Sequence, residues 1–458
     1  MEGDERVRSP GARRAVAVAR GAVLAAAALL VAWLFLVYEP PQAKRYPDRE
    51  KVVFWHMWTA KWEKVVQEIV DRFNASQTQW EVVALVVPGG SLKTLIATAG
   101  GDPPDVMAQW DPVIPAWAER GALTPLDEIL DPKDWAYLEK NMYPAVRAIG
   151  TYKGHFYGLS TGMNIWAIYY RPSRFREAGL DPDRFPETLE ELDAAAAKLF
   201  RYDAAGRITR IGFMPRWLSQ WSAVFGGSFY DATRGELTLL DPGALRALEW
   251  MTDYTKRYGF ERVQQFESGL TTSMGASWPF ISGAYAITVD GQWRIQDLAE
   301  AKESDYRTAP IPPPEGGKPL ACWSNGNFMV VPSGAKHKQG ALAFMKFWSG
   351  VDDPERAAEF YTWGGWLPIT PDVANARRYQ QYIRENPEFA TFVRVLASPN
   401  VQVSPPVPIQ AYLMNRLGSA EDAALRGTLT PRQAMERLDE EIRREQRLQN
   451  AAATQADR

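Results

Sequence analysis

The chain has 458 residues, 46% of them hydrophobic, with 52 Lys and Arg against 55 Asp and Glu and a formal net charge of −3. That length and apolar content allow two or three domains with cores of their own, and the near-balance of charge gives no basic footprint for nucleic acid. Cys322 stands alone and His56, His155 and His337 are scattered, so no disulfide framework, no metal site and no cofactor are expected.

At the N-terminus Arg6, Arg8, Arg13, Arg14 and Arg20 precede an uncharged run from Gly21 to Tyr38. The run reaches the lower limit for spanning a bilayer, and the arginines would keep its first end inside. This predicts a cytoplasmic tail over 1–20, a transmembrane anchor or signal segment over 21–38 and a Pro-containing linker over 39–50. The remainder is then extracytoplasmic. No clear small-residue cleavage site follows the run, which favours a single-pass anchor over a cleaved signal that would release the protein to the periplasm.

From Lys51 strand and helix signals alternate. KVVFW (51–55) reads as a strand. Thr59 can cap a helix whose apolar residues Trp62, Val65, Val66, Ile69, Val70 and Phe73 recur at helical spacing. Trp80–Val87 is a strand, Ser91–Ala99 a helix, Asp105–Trp110 a strand, and a further helix stops at Gly121. This order predicts a mostly parallel sheet with helices on both faces, and in such sheets ligands sit beyond the carboxyl ends of the strands. Trp58, Trp110 and Asp111 fall there. Further on, Glu187–Phe200 and Leu245–Gly259 read as helices, GAYAITVDG and GNFMVVPSG as strands, and the end of the chain as mostly helical, with a frayed polar tail over 444–458.

Several ordered stretches resemble the extracellular solute-binding proteins of ABC importers, of the maltose-binding-protein (carbohydrate-binding family 1) type. They are KVVFWHMWTAKWEKVVQEIVDRFNAS, ATAGGDPPDVMAQWD, GHFYGLSTGMNIWAIYYRP, GAYAITVDGQWRI, WSNGNFMVVPSGAK, TWGGWLPIT and the C-terminal VPIQAYLMNRLGSAEDAALRGTLTPRQAMERL. The resemblance spans 51–443. It implies an α/β fold of two periplasmic-binding-protein-like lobes (type II), each a mostly parallel sheet with helices on both faces. Lobe one would comprise 51–161 with 293–350, and lobe two 162–292 with 351–443. Crossings would fall near Ser160–Asn164, Asp290–Trp293 and Gly350–Asp353.

It also implies a carbohydrate held between the lobes of a monomer, an ABC permease as partner, and no enzymatic activity. Trp110 and Asp111 match an aromatic and an acid placed against the sugar, and Trp293 matches a stacking aromatic, with Asp290 just before it. Asn164 stands where the maltose-binding protein has an acid. Trp323 and Asn325 fall on a loop that often faces the cleft, and Trp363 and Trp366 flank two glycines. Trp58 and Trp221 complete the candidate set. An indole covers the apolar face of a pyranose and a carboxylate accepts its hydroxyls, so the residue types suit a neutral oligosaccharide. A glycerol phosphodiester would need cations at the cleft, for which only Arg216 and Arg294 are candidates. A polyamine would need more acids. A glycosidase would need two flanking carboxylates, for which only Asp111 and Asp290 are in view. A membrane-tethered sugar sensor would differ only in its partner.

Overall fold

The computed structural model describes residues 10–36, 45–87, 93, 96–98, 100–270 and 277–456. The helix expected over Ser91–Ala99 lies mainly outside them, as do the first half of the linker 39–50 and the last residues of the run Gly21–Tyr38.

Eight strands form one sheet: β1 (Glu50–His56), β2 (Trp80–Val86), β3 (Val106–Trp110), β4 (Gly158–Tyr170), β5 (Ile287–Gly291), β6 (Arg307–Ala309), β7 (Cys322–Val330) and β8 (Val401–Val403). Their spatial order is β5–β4–β7–β3–β1–β2, with β6 beside β4 and β8 beside β7. β1 runs parallel to β2 and β3. Helix α2 (Ala60–Ser76) makes the crossover between β1 and β2 and buries Val66, Ile69, Val70 and Phe73, as the spacing predicts. Thr59 occupies the N-cap position but its side chain makes no capping bond.

Strand β4 is 13 residues long and belongs to both halves of the molecule. Its first part pairs with β7, and its second part pairs with β5 and β6, in every case antiparallel. A bulge at Thr161 interrupts the β4–β7 ladder, where Gly162 faces Asn327 and Ser160 faces Phe328. The Ser160 and Thr161 hydroxyls both donate to the Asn327 carbonyl there, at 3.1 Å.

The buried apolar side chains divide into two clusters. One gathers Val52, Phe54, Ile69, Met163, Phe328, Phe344 and Trp348. The other gathers Phe213, Trp221, Leu248, Met251, Leu413 and Met435. Some expectations need correction. The second lobe does not have a mostly parallel sheet: β5 is laid antiparallel on the crossing strand β4, and so is β6, which was expected in the first lobe but whose Ala309 is buried in the second cluster. Residues 351–396 do not join the second lobe either. Ala357, Phe360, Tyr361, Tyr379, Phe392 and Leu396 bury their side chains in the first cluster.

At the chain's ends, helix α1 covers Pro10–Leu36. Among the described residues no helix is long and apolar enough to cross a membrane, so the anchor expected over 21–38 finds no support there. The tail is more ordered than expected: the last helix runs from Pro431 to Ala456. Burial of Ala434, Met435, Leu438 and Ile442 nucleates it, and each further turn then adds at little entropic cost.

Candidate functional site

Strand alternation builds one face of the sheet. Successive side chains on a strand point to opposite sides, and directly paired residues share a side. On β7 the register therefore puts Trp323, Asn325 and Asn327 on one side. Asn325 pairs with Asn164 and Asn327 with Trp110, while Trp166 pairs with Gly291. The opposite side carries Met163, Ile165, Ser324 and Phe328, all fully buried in or against the first core. Indoles and amides thus share one face, and from Trp110 to Trp323 it extends on the order of 13 Å at about 3.3 Å per strand residue.

At the β5 end of this face four indoles meet. Trp166 lies 5.3 Å from Trp323, 5.7 Å from Trp293 in an edge-to-face contact, and 6.4 Å from Trp217. Gly291 makes room for the arrangement, since a Cβ there would sit 2.1 Å from the Trp293 ring. Helix α4 (Leu218–Val224) approaches from the second core. The Gln220 carboxamide oxygen accepts the Trp323 amide at 3.3 Å. Helix α9 (Gln410–Leu425) closes the other side. Between them lies a cavity of about 280 Å³, lined by Trp166, Trp217, Gln220, Trp323, Met414, Leu417, Gly418 and Glu421.

The polar groups on this face are held in a chain. Asn164 Nδ2 donates to Asn325 Oδ1 at 2.8 Å. Gln292 Nε2 reaches the Met163 carbonyl at 3.0 Å and Asn164 Oδ1 at 3.3 Å. Asp111 is buried beside them, its amide donating to the Gly326 carbonyl at 3.2 Å. Burial pushes its carboxyl up to about 7, against backbone hydrogen bonds from Gly326 and its own residue. Buried polar atoms are normally paired, yet Asp111 Oδ1, Asn327 Oδ1 and Gln220 Nε2 have no hydrogen-bond partner among the described residues. Asn327 Oδ1 on this face and Gln220 Nε2 at its cavity are thus unpaired, and so is Asp111 Oδ1 just past the end of β3.

The candidates separate accordingly. Trp110, Asp111, Asn164, Trp293, Trp323 and Asn325 lie on this face or at its edge, and Trp110 is about half exposed at 49%. Trp58 and Trp366 are buried and offer no open ring. Trp348 stacks against both, at 5.8 and 5.5 Å. Trp221 is fully buried against Trp250 at 4.6 Å. Trp363 lies elsewhere, with the Arg72 guanidinium 4.7 Å over its ring, lining a separate groove with Lys61 and Trp62. Asp290 is taken up internally. Its carboxylate accepts Arg294 Nε and the Gly291 amide, both at 2.8 Å. Both of its carboxylate oxygens are thus already engaged within the protein.

Trp166, Gln220 and Glu421 were not singled out from the sequence, and Trp217 was passed over in favour of Trp221. Trp166 could have been, because it lies two residues after Asn164 on a strand and so shares its face. No group of His, Cys, Asp and Glu able to hold a metal occurs among the described residues. Burial pushes the Cys322 thiol up to about 12, which leaves it unreactive.

A family model described as bacterial extracellular solute-binding protein matches residues 68–391. The sn-glycerol-3-phosphate-binding periplasmic protein UgpB of Escherichia coli (strain K12) is 24% identical over 416 residues, 84% of this chain and 90% of that one. The solved structure of CpMnBP1 with mannotriose bound is 27% identical, with a TM-score of 0.73 over 85% of this chain and 99% of that one. The cyclic alpha-maltosyl-1,6-maltose binding protein from Arthrobacter globiformis shares the fold, with a TM-score of 0.71 at 21% identity over 86% of this chain and 97% of that one.

Proposed function

The chain belongs to the bacterial extracellular solute-binding proteins, and we propose that it captures a neutral oligosaccharide between its two lobes and delivers it to the permease of an ABC importer. The observation that carries this reading is the single sheet face shared by Trp110, Trp166 and Trp323 with Asn164, Asn325 and Asn327. Indoles cover the apolar faces of pyranose rings, each such contact contributing about 0.5–1.5 kcal/mol beyond buried area. The unspent Asp111, Asn327 and Gln220 atoms take the hydroxyls. A hydrogen bond to a charged group contributes about 1.5–3 kcal/mol.

Trp110 extends from the first lobe and Trp217 from the second, so a ligand touching both favours the closed arrangement over an open one. Closure, sensed by a permease, is the whole output. The protein performs no chemistry and works as a monomer.

A phosphate-bearing solute is the second reading, raised by the relative UgpB. The cations it would need are engaged. Arg216 is paired with Glu267, and Arg294 with both Asp290 and Asp297. We also read the run Gly21–Tyr38 as the segment that brings the binding lobes to the outer side of the membrane, as a tether or as a leader. Sedimentation with washed membranes is the result expected of a tether, and recovery in the soluble fraction would leave only the leader.

Calorimetric titration with mannobiose, mannotriose, maltotetraose and sn-glycerol 3-phosphate tests the function. Saturable heat with at least one sugar and none with the phosphate is expected. Binding of the phosphate alone would overturn the carbohydrate reading.

A further inference from the structure

Helix α9 enters the cavity at Met414, Leu417, Gly418 and Glu421, spaced i, i+3, i+4 and i+7 on one face of the helix. Two features at that face bear on what it does. The first concerns Trp217. Its backbone sits at φ 66°, ψ 92°, in a left-handed region that a bulky side chain enters only where its surroundings compel it. The compelling group is Glu421. One carboxylate oxygen accepts the Trp217 amide at 3.0 Å and the other accepts the Leu218 amide at 2.8 Å. The bidentate hold fixes the turn into α4 and leaves the Trp217 ring 48% exposed, angled across Trp166.

The second feature is Gly418. It lies in the interior of a 16-residue helix, where glycine is less favourable than alanine. A Cβ at this position would meet nothing within 4 Å. Nothing in the protein's own packing calls for glycine there, and the space in front of it belongs to the cavity.

We propose that this face of α9 is the specificity-determining wall of the carbohydrate site, with Glu421 a positioning residue that sets the Trp217 ring and Gly418 the gap into which a sugar ring fits. The proposal rests on the carbohydrate reading above. It assigns α9 a selective role: the ring accepted is one thin enough to pass Gly418 while stacking on Trp217.

The test uses the purified chain with mannotriose as the probe, measuring affinity by calorimetry and stability by thermal unfolding. Gly418→Ala raises the melting temperature and weakens mannotriose binding, and Gly418→Leu weakens it further without lowering the melting temperature. Glu421→Ala weakens binding about tenfold, the scale of one lost stacking contact. In a Trp217→Ala background Glu421→Ala causes no further loss, because both act through one ring. Wild-type affinity in Gly418→Leu, or independent losses from Glu421→Ala and Trp217→Ala, overturns the proposal.

A wild type that binds none of the sugars would instead refute the carbohydrate reading. Acrylamide quenching without ligand then decides the positioning role. The Trp217 contribution, defined as the difference between wild type and Trp217→Phe, changes in Glu421→Ala and not in Gly418→Ala. An unchanged Trp217 contribution in Glu421→Ala overturns the role assigned to Glu421.

Discussion

Asp111→Asn separates the demands of binding from those of folding. The Asp111 carboxyl is raised by burial from 3.8 to about 7 in the folded chain. Between those values the native state holds a proton that the unfolded chain has released. The site's stabilising contribution is therefore complete below pH 3.8 and is lost as pH rises through about 7. At about 1.36 kcal/mol per pH unit, a shift of roughly three units makes the ionised, unliganded side chain cost on the order of 4 kcal/mol.

Asparagine keeps the shape and removes the titration. Urea unfolding of variant and wild type, compared from pH 4 to pH 8, should show the variant gaining on the wild type as pH rises, by up to that amount. The comparison cancels the other titrating groups, including His56, which burial holds down to about 4. Calorimetry with mannotriose should show the reverse: wild-type affinity rises with pH as the acceptor ionises, while the variant binds weakly at every pH. Parallel stability curves for the two proteins would refute the argument.

Other substitutions distinguish core from site. Trp221→Ala empties a fully buried position and should cost about 3–5 kcal/mol in urea unfolding; a loss under 1 kcal/mol would put that ring outside the core. Arg294→Ala leaves Asp290 buried without its cation and Asp297 with Lys61 alone, 3.6 Å away, and should cost about 3–5 kcal/mol at neutral pH, with less cost in acid, where Asp290, already raised by burial, takes up a proton. Gly291→Ala forces the Trp293 ring away from Trp166, and should weaken mannotriose binding severalfold and alter near-ultraviolet circular dichroism; an unaltered spectrum would contradict the packing.

The sequence carried the parts of this site that depend on local order. Trp110 and Asp111 end a strand, and strand ends are where ligands sit in an α/β sheet. Trp323 and Asn325, expected on a loop, lie on β7, and the alternation in Trp323-Ser324-Asn325-Gly326-Asn327 is legible only once the strand is extended to them. Helix α2 shows the same agreement, burying the apolar stripe that its spacing marks.

What escaped depends on contacts between distant segments. Trp217 and Trp221 are four residues apart, and only the second stood in the expected set of ligand contacts. Helix α4 turns Trp221 into the second core, while Glu421, from a helix far along the chain, holds Trp217 outward. Trp58 follows a strand end as expected, but its ring folds back onto Trp348. Periodicity finds the apolar faces of the helices in 351–396 without saying which core they cover, and they cover the first. Asp290 lies on β5 while Arg294 opens the helix that follows, so their ion pair depends on the turn between them and not on helical spacing.

The central claim is that one solute is gripped from both lobes. The most direct test is the affinity of Trp110→Ala and Trp217→Ala for the same probe, mannotriose, each variant first shown to melt as the wild type does. The account predicts that both lose about tenfold, since each ring is roughly half exposed and adds binding rather than stability. Wild-type affinity in either variant would contradict it, placing the sugar on one lobe alone.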